Sequence, residues 1–259
     1  MVELGTASSD ADFEDVYQFW YDIYVGEMGR HLHDPNTCHQ NRRLFDPLAT
    51  AGSLCVARKE GNVVGTVLLT PVAHPAANKY RELYGLTELP ADDLAASTIT
   101  TKLMVAPAQR RTRLPLRLAI TTFNWGLHVG FKHNYIDCND HLVKLFTRLG
   151  YARHLPTLHL KEYGSVNSLR LSITDEEYLR NVDSPFLSIL RRYQRQQGLI
   201  LGANTNRQAV PESVVPKSVA PKSVVPESVV PESIVKAFEK YRPQPLRGRP
   251  VRTPVSHAS

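Results

Sequence analysis

Proline recurs every fifth residue between positions 210 and 234, in the run VPESV, VPKSV, APKSV, VPESV, VPESI. Each proline removes a backbone donor and disfavours both a helix interior and a central strand. The apolar residues between them are almost all valine, too few and too regular to build a core. A five-residue unit also matches none of the common solenoid repeats and carries no glycine turn. Residues 206–235 therefore read as an extended, polyproline-like linker. Residues 236–259, VKAFEKYRPQPLRGRPVRTPVSHAS in context, are basic and proline-rich and read as a disordered tail. Whatever folds must do so within about residues 1–205.

The charge follows the same division. The net charge is +6, but residues 206–259 carry nine Lys/Arg against four Asp/Glu, which leaves 22 against 21 before them. A globular nucleic-acid reader carries its basic charge on the fold, so a nucleic-acid partner is not expected. No apolar run is long enough to span a bilayer and the first residues lack a signal-peptide pattern, so a cytoplasmic protein without a transmembrane segment is expected. Cys38, Cys55 and Cys138 are odd in number and form no CxxC pair. Neither a disulfide framework nor a cysteine zinc site is indicated.

Residues 1–205 alternate helical and strand patterns. Ser9 or Asp10 opens a helix with Phe13, Val16, Tyr17, Trp20, Ile23 and Tyr24 on one face. SLCVARK and VVGTVLL flank Glu60-Gly61-Asn62 as a hairpin. Helical pieces fall between 76 and 96, STITTKLMV is a strand, and 112–129 is a helix closed by Gly130. NYIDC is a short strand, NDHLVKLFTRLG a capped helix, and YARHLPTLHL a returning strand. Thr174 with Glu177 resembles a capping box, and Ser184-Pro185 opens a last helix ending near Gly198. The fold class expected is α/β, one domain around a mixed sheet flanked by helices, in the order α–β–β–α–β–α–β–α–β with helices appended.

The junction VAPAQRRTRLPLRLAI joins the strand to the long helix, a place where many α/β enzymes hold a phosphate. Here the loop has no glycine, four arginines (Arg110, Arg111, Arg113 and Arg117) and Pro115 near the helix start. Together with the preceding strand, TTKLMVAPAQRRTRL resembles the strand and phosphate loop of the GNAT superfamily of acyltransferases. NDHLVKLFTRLGY is similar to that superfamily's late helix. VYQFWYDIYVGEMGR, RRLFDPL and YLRNVDSPF look like the branch of long-chain N-acyl amino acid synthases, which is related to the acyl-homoserine-lactone synthases. The resemblance covers about residues 10–200.

The resemblance implies a GNAT-like mixed sheet and transfer of an acyl group from a thioester to an amine. The donor's pantetheine arm would lie where two parallel strands splay apart, against the backbone of Leu103, Met104 and Val105. One backbone N–H there would face the thioester oxygen and stabilise the oxyanion. The phosphate end would rest on the loop and helix start formed by Gln109, Arg110, Arg111, Thr112, Arg113 and Leu114. No permanently bound cofactor and no metal is implied; acyl-CoA or an acyl-phosphopantetheine on a carrier protein is the co-substrate. The loop's two small positions fall on Thr112 and Leu114, where a pyrophosphate would want glycine. A carrier-protein arm ends in a single phosphate on an acidic helix, which arginines suit. An acyl carrier protein is therefore placed ahead of CoA as donor, with a solvated arginine face as the alternative.

Phe146 occupies the place where many superfamily members carry a tyrosine that protonates the leaving thiolate. A thiol's pKa of about 8.5 makes the thiolate a tolerable leaving group without it. The amine must still lose a proton. Candidates are Glu27, Asp46 and Asp137, or a water held by Thr101 or Thr100, each carboxylate being equally readable as a surface charge or a cap. Trp20, Tyr24, Phe123 and Phe146, with Trp125 and Phe186, are candidates for an acyl or acceptor pocket as well as for ordinary core. Trp20 stands where relatives often have arginine, which opens the acceptor to a peptide Lys/Orn-type side chain as well as a free amino acid. The alternatives are a GNAT-fold module that only binds acyl thioesters, an autoinducer synthase acting on S-adenosylmethionine, and a metal site at His31, His33, Cys38 and His39. The spacing of that last group matches no established zinc pattern.

Overall fold

The computed structural model describes residues 1–29, 36–160 and 164–204. The proline repeat and the basic tail lie outside the described residues, as do His31 and His33.

The first strand, β1 (Val2–Thr6), precedes the helix on which the sequence pattern begins. Ser9 then opens α1 (Asp10–Tyr21) with a complete capping box, its hydroxyl accepting from the Asp12 amide while the Asp12 carboxylate accepts from the Ser9 amide. The amides of Ser8 and Ser9 and the Ser9 hydroxyl converge on that carboxylate, and with Arg58 they lower its pKa from 3.8 to about 2. The folded value lies below the unfolded one, so the stabilisation is full above about pH 4 and fades as pH falls towards 2. Asp12→Asn is expected to flatten the acid limb of a stability–pH curve by about 1 kcal/mol between pH 5 and 2, a figure reduced for solvent screening. Identical acid limbs for the variant and the parent protein would remove Asp12 from the account of acid stability.

A π-helical turn, Asp22–Glu27, continues α1. After the short pair β2 (Thr37–Cys38) and β3 (Arg43–Leu44), the chain enters the hairpin of β4 (Ser53–Lys59) and β5 (Asn62–Pro71). Glu60 and Gly61 both have positive φ, 53° and 83°, the two-residue turn whose twist suits a hairpin. Two short helices, α2 (Asn78–Leu83) and α3 (Ala91–Ala95), lead to β6 (Ser97–Val105), and then come α4 (Leu114–Val129), β7 (His133–Asn139) and α5 (Asp140–Leu149). Gly150 ends α5 at φ 106°, a left-handed conformation in which any side chain would be strained.

The returning strand is not where the sequence pattern put it. YARHLPTLHL supplies only β8 (Ala152–Arg153) and β9 (Leu158–Leu160), on either side of Pro156, and both pair with a longer strand, β10 (Gly164–Ser172). Pro156 interrupts the ladder as proline must. The buried Asn167 disguises β10 in the sequence, since a polar residue there breaks the apolar row. Its amide is satisfied on both ends: Nδ2 donates to Asp140 Oδ1 (2.8 Å) and Oδ1 accepts from Arg153 and Thr157 (2.7 and 2.8 Å). The next helix, α6 (Glu176–Asn181), is capped by Asp175 rather than Thr174, through a bond from the Tyr178 amide. Ser184 accepts from the Phe186 amide to open α7 (Phe186–Asn204), which continues past Gly198.

Among the described residues the sheet has eight strands in the order β1-β4-β5-β6-β7-β10-β8, with β9 also on β10. Every neighbouring pair is antiparallel except β6 and β7. One face packs against α1 and the α2 region through Val16, Trp20, Leu54, Leu68, Tyr84, Ile99 and Tyr135. The other packs against α4, α5 and α7 through Leu116, Ile120, Phe123, Ile136, Phe146 and Phe186. The mixed sheet flanked by helices is the fold class expected.

Candidate functional site: the gap between two parallel strands

The parallel pair β6 and β7 meets only at Ser97–His133, Thr98–Asn134 and Ile99–Tyr135. Beyond these, β6 stays with β5 as far as Val105 and β7 stays with β10 as far as Asn139. The two strands part, and their facing edges line a gap in the middle of the sheet. Ala106 N–H donates to Val64 O on the β5 side, so alternation turns the Val105 N–H and C=O to the gap side. The N–H on such an edge offers a hydrogen bond that an added strand would use, while the Val105 C=O accepts from Arg110 Nε.

A bulge bends β6 where the strands diverge. Thr66 faces Met104 and Leu68 faces Thr101, so Val67 alone opposes Lys102 and Leu103. Lys102 has φ 54°, the left-handed conformation that glycine usually supplies in such a bulge. A side chain there costs about 1–2 kcal/mol, so its neighbours must hold it. They are visible: the buried Thr66 hydroxyl donates to Lys102 O and accepts from Trp20 Nε1, both at 2.9 Å. The Lys102 ammonium lies 2.9 Å from Asp46 Oδ2 and 5.4 and 5.1 Å from the ring centres of Trp20 and Tyr24. Burial opposes its charge, but Tyr24, Asp46 and Tyr80 outweigh it and raise the Lys102 pKa above lysine's ordinary value. Lys102 stays an ammonium and does not serve as a base.

Alternation places Thr101 on the same face of the sheet as Ile99, and Asp137 on the same face as Tyr135; this is the face covered by α1 and the α2 region. Asp137 is solvent-exposed and lies two residues past the last β6–β7 pair. Tyr84, wholly buried, donates its hydroxyl to Asp137 Oδ1 at 2.7 Å and stacks on Tyr135. Burial first, and Asp137 second, raise the Tyr84 pKa well above that of a free phenol, so Tyr84 is a fixed donor. The hydroxyl of Thr101 is buried with no hydrogen-bond partner among the described residues.

The other expected site residues divide. Glu27, at the end of the π-helical turn, forms a two-pronged ion pair with Arg110 Nη1 and Nη2, while Arg110 Nε donates to Val105 O at 2.8 Å. Arg110 therefore clamps the loop to the turn after α1. Asp46 pairs with Lys102 and accepts from the Leu48 amide. Thr112 donates to Gln109 O and accepts from the Leu114 amide, and Leu114 is core beneath β5, 2% exposed. With Leu114 N–H engaged and Pro115 lacking one, the start of α4 offers few amides to an anion. Arg117 reaches Val2 O on β1. Arg111 is exposed and Arg113 half-buried. Trp20 and Tyr24 lie on the α1 face, whereas on the opposite face Phe123 stacks on Phe186 and Phe146 meets Tyr151 edge to face. The four aromatic residues do not line one pocket, and Trp20 is fully enclosed.

Sequence reasoning missed Lys102, Thr66 and Tyr84. Lys102 had a signal, as the only charge in STITTKLMV; Thr66 and Tyr84 had none. In the candidate metal group, Cys38 is exposed and His39 Nδ1 lies 3.0 Å from the Tyr21 hydroxyl. Among the described residues no three His, Cys, Asp or Glu side chains converge as ligands. Nor, among them, is any helix long and apolar enough to cross a membrane.

The sequence matches no protein-family profile and no curated protein. Solved structures do share the fold. A CoA-dependent acyl-homoserine lactone synthase, BjaI, with MTA bound, superposes with a TM-score of 0.55 at 16% identity over 71% of this chain and 90% of that one. The acyl-homoserine lactone synthase LasI gives 0.53 at 13% identity over 67% and 89%. FeeM, an N-acyl amino acid synthase from uncultured soil microbes, gives 0.51 at 10% identity over 68% and 92%. The chain shares its fold with these synthases.

Proposed function

We propose that the protein is an N-acyltransferase that moves an acyl group from a pantetheine thioester to an amine across the β6–β7 gap. The observation that carries this reading is the gap itself, in which the Val105 N–H is directed away from β5 while its C=O accepts from Arg110 Nε. An amide-bearing pantetheine arm fits there as an added strand would. A backbone N–H aimed at the thioester oxygen stabilises the tetrahedral oxyanion without reorganisation. The likeness in fold to BjaI, LasI and FeeM supports the same chemistry.

For the donor, the start of α4 favours a single phosphate over a pyrophosphate. Thr112 and Leu114 stand at the small positions, Thr112 Oγ1 engages the Leu114 amide, and Pro115 has none to offer. Arg110 is held by Glu27, which leaves Arg111 and Arg113 to meet the phosphate and the acidic helix of an acyl carrier protein. The acceptor is an amine of a free amino acid or of a Lys/Orn-type peptide side chain, and it enters from the α1 face. Glu27 and Asp46 act through Arg110 and Lys102 as supports of the gap.

Thiol release from decanoyl carrier protein, decanoyl-CoA and decanoyl-pantetheine, each with an amine panel, tests the reading. Amine-dependent release is expected, and saturable donor binding without release from any of them would leave a thioester-binding module instead. Arg111→Ala with Arg113→Ala is expected to lower transfer from the carrier protein about tenfold, and transfer from decanoyl-pantetheine by less than about threefold. Equal losses would return both arginines to a solvated face.

A further inference from the structure

We propose that Asp137 is the general base of the acyl transfer and that Tyr84 positions it, an assignment that rests on the acyltransferase reading above. Three carboxylates were candidates, and the structure separates them. Glu27 gives both oxygens to Arg110, and Asp46 gives one oxygen to the Lys102 ammonium and the other to the Leu48 amide. Asp137 receives one hydrogen bond, from Tyr84 to Oδ1. Its second oxygen takes no hydrogen bond or ion pair among the described residues, and the side chain is solvent-exposed on the face of the sheet where the strands part. A base must be reachable and held still, and Asp137 is both.

Tyr84 supplies the last property. It sits after α2 with its ring enclosed, between Tyr80 and Tyr135, and its backbone carbonyl is bonded to His154 Nε2 at 2.9 Å. A phenol locked in that way fixes one carboxylate oxygen and turns the other outward. Thr101, from β6, brings a buried and unpartnered hydroxyl to the same face. That hydroxyl is placed to hold a water or the incoming nitrogen.

The acceptor enters as an ammonium, and Asp137 Oδ2 takes one proton from it. The neutral nitrogen bonds to the thioester carbonyl carbon, whose oxygen becomes an oxyanion facing the β6 edge. The C–S bond then breaks with its electron pair on sulfur. The second N–H proton goes to the thiolate, giving amide and thiol, and Asp137 returns its proton to solvent.

The test compares Asp137→Asn and Tyr84→Phe with the parent protein, using decanoyl-pantetheine as donor. The acceptors are free amino acids, Nα-acetyl-lysine and Nα-acetyl-ornithine, with hydroxylamine beside them as an amine already largely neutral at pH 7. Asp137→Asn is expected to lower kcat about 10²–10⁴-fold with the ordinary amines but less than about tenfold with hydroxylamine, with the donor KM unchanged. Tyr84→Phe is expected to lower kcat about tenfold with the same dependence on amine basicity, which a purely structural defect would not show. Equal losses with hydroxylamine and ordinary amines would overturn the assignment, as would Asp137→Asn activity within threefold of the parent protein. If the parent protein acylates no amine, the acyltransferase reading and the base fall together; if it does and Asp137→Asn matches it, only the base falls.

Discussion

Lys102→Met is expected to destabilise the protein by about 3–5 kcal/mol, the cost of removing one partner of a buried ion pair and leaving the other. For a domain of this size that corresponds to a fall in Tm on the order of 10 °C. Asp46 would remain largely buried with its counter-ion gone, while the Leu48 amide still held one of its oxygens. Lys102→Met with Asp46→Leu should recover part of the loss, because an apolar pair leaves no charge stranded. A second comparison separates backbone from charge. Lys102→Gly and Lys102→Ala both remove the ammonium, yet the glycine variant should be the more stable by about 1 kcal/mol, since φ is 54° at this position. Thermal unfolding of the four variants measures all of this. A Lys102→Met melt within 2 °C of the parent protein would show that the pair does not hold the bulge.

Trp20→Ala should cost a similar amount, about 3–5 kcal/mol, for a different reason. The indole is fully buried, donates to Thr66 and carries Lys102 over its ring. Truncation leaves a cavity and removes one of the two bonds that fix the Thr66 hydroxyl beneath the bulge. Trp20→Phe keeps most of the volume and loses the hydrogen bond and part of the cation–π attraction, so about 1–2 kcal/mol is expected. Trp20→Arg sets a second buried cation beside Lys102 and should be the least stable of the three. Because Trp20 and Lys102 touch, the losses of Trp20→Ala and Lys102→Met should not add. Strict additivity in a chemical-denaturation cycle would contradict the network described here.

These two residues show where the sequence was legible and where it was not. Local rules carried the capping box at Ser9, the Glu60-Gly61 turn, the nine-residue strand STITTKLMV and the glycine ends of α4 and α5, because each depends on a few neighbouring residues. The strand β10 was hidden because Asn167 is polar and buried, satisfied by residues far away in the chain. β1 was overlooked because VELGT is a half-exposed edge strand with little apolar content. At the site, the resemblance pointed to β6 and the loop after it, but the surroundings of single side chains depended on contacts across long separations. Arg110 looked available for a phosphate until Glu27, 83 residues away, was seen to hold it. Trp20 and Tyr84 could be assigned only once β5, β6 and β7 had brought Thr66, Lys102 and Asp137 beside them.

The acyl transfer itself is tested most directly by measuring thiol and amide together in one reaction of the full chain with decanoyl carrier protein and an amine panel. Transfer across the β6–β7 gap requires thiol and decanoyl amide to appear in equal amounts, at a rate that saturates in donor and depends on the amine. Thiol released without amide would mark a thioesterase, and donor bound without release of thiol would mark a binding protein; either result would contradict an N-acyltransferase.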